Sequence, residues 1–338
     1  MEGPRNMLGD ILTFVEPTKY AAGLADGSVV RYGAILKNAS SGRIVAHIQE
    51  TGLARQILQS VGPGSFTPWG AVSTLAGGYA NVQLHQLQNM MQSLQLLQFA
   101  NIGLAAAGLG VSVVGFAVLS RRVKAIEGKL DELSAQVKKG FQTLVDLEWR
   151  KRLSQVHVYL ERAERAHALS DPASEWLRIE GKLDEESGFL QASLRNQLDK
   201  DRLHLAGFQK ITHALLICDS VRIRCLVQAD ELESAQLTAQ AIAGNYGSLF
   251  DKLSSMGLTE RMIALRPQRG RAKTADFNFC RVQAEKTIGS LREIGQTADS
   301  RPFLIDHLRE HGISGSQYLE QLAGQAQRPL TLLETLGG

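Results

Sequence analysis

Few groups of residues in this chain have types and spacings that suit catalysis or ligand binding, and each meets a chemical limit. His213, Cys218 and Cys225 carry ligand-type side chains, but their spacing matches no zinc site. Cys218 and Cys225 on one helix would lie about 10 Å apart, beyond disulfide reach. With Cys280 they make an odd set of three, so buried, reduced thiols are expected. Gly108, Gly110 and Gly115 depart from the dinucleotide fingerprint, have no strand–helix–strand alternation around them, and are joined by no Walker lysine. Neither Ser65 nor Ser314 sits in a G-x-S-x-G elbow, and no H-E-x-x-H is present. The chain therefore reads as non-enzymatic, with no catalytic, cofactor-binding or metal-binding residues.

The chemistry that the pattern does support is partition into lipid. Residues 56–120 are 65 consecutive positions without Asp, Glu, Lys or Arg, in a chain that is 21% charged. At their end, residues 99–119 form a 21-residue apolar stretch; a helix of that length just spans a hydrocarbon core of about 30 Å. Its ten large apolar side chains contribute about −3 to −6 kcal/mol to insertion, partly offset by four glycines, five alanines, Asn101 and Ser112. That balance is marginal, as expected of a segment that is sheltered in a folded protein before it enters lipid. The candidate membrane-inserting residues are Phe99, Ile102, Gly103, Leu104, Ala107, Gly108, Gly110, Val113, Val114, Gly115, Phe116 and Leu119. Gly103 with Ala107, Ala106 with Gly110, and Gly108 with Ser112 are small-xxx-small pairs that allow close helix approach within a bilayer.

The elements around this stretch read as follows. Leu84, Leu87, Met91 and Leu94 follow a 3-4-3 spacing, and the seam resumes as Val123, Ile126, Leu130, Leu133, Val137, Gly140, Leu144 and Leu147. Leu84, Leu87, Met91, Leu94, Ile126, Leu130, Leu133 and Val137 are the candidate interface. Gln83, Gln86, Gln88, Gln92, Gln95 and Gln98 give the upstream helix an uncharged polar face, which lines a wet lumen at lower cost than Glu or Lys. Upstream, 9–55 reads as an antiparallel meander of three strands, ILTFV, SVVRYGAIL and RIVAHIQE, with turns at Ala25-Asp26-Gly27 and at Asn38 to Gly42. Residues 62–79, rich in Gly and Pro, suit neither helix nor strand. Downstream, Asp171-Pro172 is a capped helix start, followed by helices over 173–200, 202–230, 231–256, 273–298 and 302–325, with breaks at Gly257, Arg266-Pro267, Arg301-Pro302 and Gly312. The expected fold is mainly α. It has a small N-terminal antiparallel β module (1–55), a Gly/Pro-rich linker (56–80), long central helices around the glycine-rich apolar segment (81–170), and a C-terminal helical bundle (171–338).

Charge is nearly balanced outside the gap, so no nucleic-acid footprint is expected despite an overall charge of +3. The N-terminus lacks the basic and apolar regions of a secretory signal, which places the expected resting protein in the cytoplasm. Cations return at once after the apolar stretch as Arg121, Arg122 and Lys124, and positive charge stays inside. With charged residues also in the N-terminal module, the chain is expected to re-enter as a hairpin.

An apolar, glycine-rich segment held between heptad-bearing helices, over 82–147, resembles the bacterial α-helical pore-forming toxins of the cytolysin A and haemolysin BL type. The resemblance implies a soluble monomer that shelters the segment, then releases it to build a homo-oligomeric ring in a lipid bilayer. The expected function is thus a conditional pore-forming or membrane-disrupting effector, cytoplasmic at rest and at the inner membrane when active. Such an effector suits anti-phage abortive infection, with a protein trigger sensed by the β module or the C-terminal helices. The alternatives are a single-pass, membrane-anchored coiled-coil sensor or scaffold, and a soluble helical adaptor.

Overall fold

The computed structural model describes residues 18–32, 35–48, 123–124, 142–264, 274–324 and 330–331. Among these are eight α-helices and one four-stranded antiparallel sheet, which bears out a mainly α fold with a small N-terminal β module. The chain opens with α1 (Thr18–Asp26) and the strands β1 (Val29–Tyr32), β2 (Ile35–Asn38) and β3 (Ile44–Ile48). The helices α2 (Gln142–Arg165), α3 (Pro172–Leu198), α4 (Leu205–Gln228), α5 (Leu232–Phe250), α6 (Ser255–Ala264), α7 (Thr274–Glu310) and α8 (Gly315–Gly324) follow. A two-residue strand, β4 (Leu330–Thr331), completes the sheet in the order β1-β2-β3-β4.

The centre of the helical body is α4, in which every residue from 211 to 221 is buried. A helix apolar on nearly all sides is stable only when surrounded. Here α2, α3, α5 and α8 all pack against it, while α7 packs on α5 and α6. The helix α3 buries Trp176, Ile179, Leu183, Leu190 and Leu194, spaced at three, four and seven residues, and leaves Lys182, Asp184 and Glu185 in solvent. Its start is fixed as the sequence indicates: Asp171 accepts from the Ser174 amide at 3.2 Å, and Pro172 occupies the first turn. All three cysteines are free and buried.

Four details differ from the sequence reading. Residues 18–26 form a helix within the stretch read as β. The run SVVRYGAIL folds back as the β1–β2 hairpin, with Tyr32 opposite Ile35, because the alternation of apolar residues reads straight through its single glycine. The break after α5 falls at 251–254, and Gly257 lies inside α6, where its amide donates to the capping Ser254 hydroxyl at 3.0 Å. Lastly, α7 runs unbroken through Pro302. A proline inside a helix costs about 3 kcal/mol; here Arg301, Pro302, Leu304 and Ile305 are all buried, and packing holds the helix together. The break at Gly312 is where the sequence places it: that residue has φ +62°, and the Ile313 amide reaches back to the Leu308 carbonyl at 2.9 Å. The ILTFV strand and the Arg266-Pro267 break lie outside the described residues.

Candidate functional site

The twelve candidate membrane-inserting residues and the eight candidate interface residues, from Leu84 to Val137, lie outside the described residues. Of the downstream seam, Val123 is fully buried and Leu144 and Leu147 fall within α2, while Lys124 is exposed. Among the described residues no helix is long and apolar enough to cross a membrane. What the structure supplies is the anchorage on either side of residues 49–141.

Upstream, β3 carries the chain to Ile48. Ile35 and Leu36 are adjacent in β2 and so point to opposite faces of the sheet, yet both have 0% exposure: the sheet is covered on both sides. On one side α1 packs against β1, with the Tyr20 hydroxyl donating to the Val45 carbonyl at 3.2 Å. The sheet also docks on α7. Arg31 Nη2 lies 3.1 Å from Glu293 Oε1, the Lys37 ammonium sits 3.5 Å above the centre of the Phe303 ring, and Tyr32 meets that ring edge-on at 5.7 Å. Burial lowers the Lys37 pKa, and the ring face offers its charge an attractive site. The β2–β3 turn is closed by Asn38, whose Oδ1 accepts from the amides of Ser40 and Ser41 at 3.0 Å each, with Gly42 at φ +67°.

Downstream, α2 carries the chain onward from Gln142. It buries Trp149, Leu153, Val156, Leu160 and Ala163 on one face and packs on α3 and α4. Two ion pairs fix its register on α3. Arg152 donates to the buried Glu186 at 3.3 Å while also holding Glu148, and Arg162 pairs with Glu175 at 2.7 Å. Burial pushes the Glu186 carboxyl up, and the Arg152 charge partly offsets this. The Trp176 indole donates to the Ala163 carbonyl at 3.4 Å.

Compared with protein-family models, curated proteins and solved structures, the chain matches none. The site therefore rests on its own chemistry. A buried polar cluster lies at Asp219 in the middle of α4. Its carboxylate accepts from Ser187 Oγ of α3 at 2.6 Å and from the Tyr246 hydroxyl of α5 at 2.8 Å, and Arg222 lies at 3.5 Å. Arg301 of α7 donates to the neighbouring Ser220 hydroxyl at 3.1 Å. Burial raises the Asp219 pKa, opposed by Ser187, Arg222 and Tyr246, and it pushes the Tyr246 hydroxyl and the Cys218 thiol well up. Asp219, Ser187 and Tyr246 have at most 1% exposure, so the cluster ties α3, α4, α5 and α7 together and offers no open face to a substrate. Arg222 extends it toward solvent, pairing with Glu180 at 3.0 Å and Asp184 at 2.6 Å. Sequence reasoning missed this cluster, although one acid within the apolar run ITHALLICDSV is a visible sign of a buried partner set.

His213, Cys218 and Cys225 lie along α4. Among the described residues no group of three or more His, Cys, Asp and Glu is placed to hold a metal ion.

Proposed function

We propose that this protein is a conditional membrane-permeabilising effector that shelters residues 99–119 at rest and inserts them as an oligomer on activation. The observation that carries the reading is the 65-residue absence of charge over 56–120, ending in a stretch of bilayer-spanning length. The anchorage supports it. The described residues before 49 and after 141 pack against one another, as suits a segment that leaves the body and returns to it. The same docking speaks against the single-pass anchor, which would place the β module and α7 on opposite sides of a bilayer. No enzymatic role is assigned. The partners are a lipid bilayer, further copies of the chain and a protein trigger. A cytoplasmic resting state with an inner-membrane active state fits a self-directed role in anti-phage defence.

Dye release from anionic liposomes tests the reading. Purified protein, activated by mild heating or acidification, should release dye in a concentration-dependent way and form a large species by mass photometry. Extraction from cells only with detergent would favour the permanent anchor. Soluble protein that never releases dye would favour the adaptor.

A further inference from the structure

The two ends of residues 49–141 are fastened by different elements. The last described residues before the gap belong to β3, where Ile48 pairs with Leu330 and His47 with Thr331 of β4, a strand that follows α8. The same sheet docks on α7 through Arg31–Glu293 and through Lys37 and Tyr32 on Phe303. Within that stretch Val123 is buried in the same core, and beyond it α2 is seated on α3 and α4. Both ends of the stretch are therefore tied to the helical body. Separating the sheet from α7 would unpair Arg31 from Glu293 and lift Lys37 and Tyr32 off the Phe303 ring.

We propose that the docking of the β1–β4 sheet on α7 is a clasp that stays closed when the protein enters a membrane, so that the chain between Ile48 and Gln142 crosses the bilayer an even number of times. This rests on the reading of residues 99–119 as the membrane-entering segment and adds its topology. A chain that leaves and rejoins one rigid body on one side of a bilayer has no odd solution. Residues 56–98 are 43 uncharged positions, more than the roughly 20 that a second helical crossing needs.

Two exposed positions report the sides: Ser40 in the β2–β3 turn and Gln240 on α5. Single Ser40→Cys and Gln240→Cys variants of the full chain are labelled with a membrane-impermeant maleimide in sealed cells and in inverted vesicles. The native thiols stay silent because burial keeps all three out of reach and pushes Cys218 and Cys225 away from the thiolate. Both positions should react in inverted vesicles and neither in intact cells. In a separate Arg31→Cys, Glu293→Cys variant, a short thiol-to-thiol cross-linker should bridge the pair in equal yield before and after membrane binding. Opposite sidedness of the two positions, or a fivefold fall in cross-linking on membrane binding, overturns the clasp while leaving insertion itself standing. A protein that never associates with membranes overturns the functional reading, and the clasp's topology with it.

Discussion

The core of the helical body and the seat of the sheet upon it are held by opposite means. At Asp219 the charges are buried and met by hydrogen bonds from Ser187 and Tyr246, on two neighbouring helices. At the seat, Arg31 and Glu293 keep 23% and 34% of their side chains exposed, and beside them Lys37 and Tyr32 meet the exposed Phe303 ring. A buried charge is costly to leave alone, whereas a half-exposed pair exchanges its partner for water at little cost. The body should accordingly unfold as one unit, and the seat should tolerate loss of any single polar contact.

Substitutions can break this contrast. Asp219→Ala should have the largest effect, about 3–5 kcal/mol in urea unfolding, because it strips the buried Tyr246 and Ser187 hydroxyls of their acceptor and leaves Arg222 without a buried counter-charge. A loss under about 1 kcal/mol would mean that apolar packing alone sets the register of α4.

Arg152→Ala comes next, at about 2 kcal/mol, since it leaves Glu186 buried without its cation. Glu186 already has a raised pKa in the folded protein. A carboxyl whose folded-state pKa is raised contributes stability that is present below its unfolded pKa and lost as pH rises through the folded one. The Arg152→Ala deficit should therefore be smaller at pH 5 than at pH 8 in parallel thermal melts. A deficit independent of pH would assign the loss to the stacking of the guanidinium over Phe189, 4.9 Å away.

Asp230→Ala should cost about 1 kcal/mol, as for a lost helix cap. This residue lies at φ +61° and accepts from the Ser314 hydroxyl at 2.8 Å and the Ser316 amide at 3.2 Å, clipping the start of α8 to the end of α4. Burial acts to raise its pKa, but the hydrogen bonds from Ser314 and Ser316 carry it below the usual value. Its contribution is thus present above the ordinary carboxylate range and lost on acidification through it. Melts of wild type and Asp230→Ala should converge below about pH 3. Smallest of all, Arg31→Ala should cost at most about 1 kcal/mol; a larger loss would show that the seat depends on its ion pair.

Much of the fold was legible because its signals are local. Asp171-Pro172 marks the start of α3, and Gly312 the end of α7. Where tertiary packing overrides such signals, reading fails: Pro302 announces a break that the burial of Arg301, Leu304 and Ile305 prevents. The hairpin between Tyr32 and Ile35 was missed for the converse reason, since one glycine is a weak turn signal inside an alternating apolar run. Pairings distant along the chain, such as Arg152 with Glu186 or Arg31 with Glu293, leave no periodic trace and appear only once the helices are assembled. The charge-free window over 56–120, by contrast, is visible from composition alone, because exclusion of charge over a long window needs no partner to be recognised.

The central claim is that residues 99–119 enter lipid, and Val113→Asp tests it most directly. The charge falls near the middle of the stretch, at a cost of about 3 kcal/mol per chain, comparable to the whole insertion energy. Wild-type and Val113→Asp proteins are compared by dye release from liposomes, with circular dichroism confirming equal folding. The account predicts an unchanged helical spectrum and loss of release by at least tenfold. Equal release by the two proteins would contradict it.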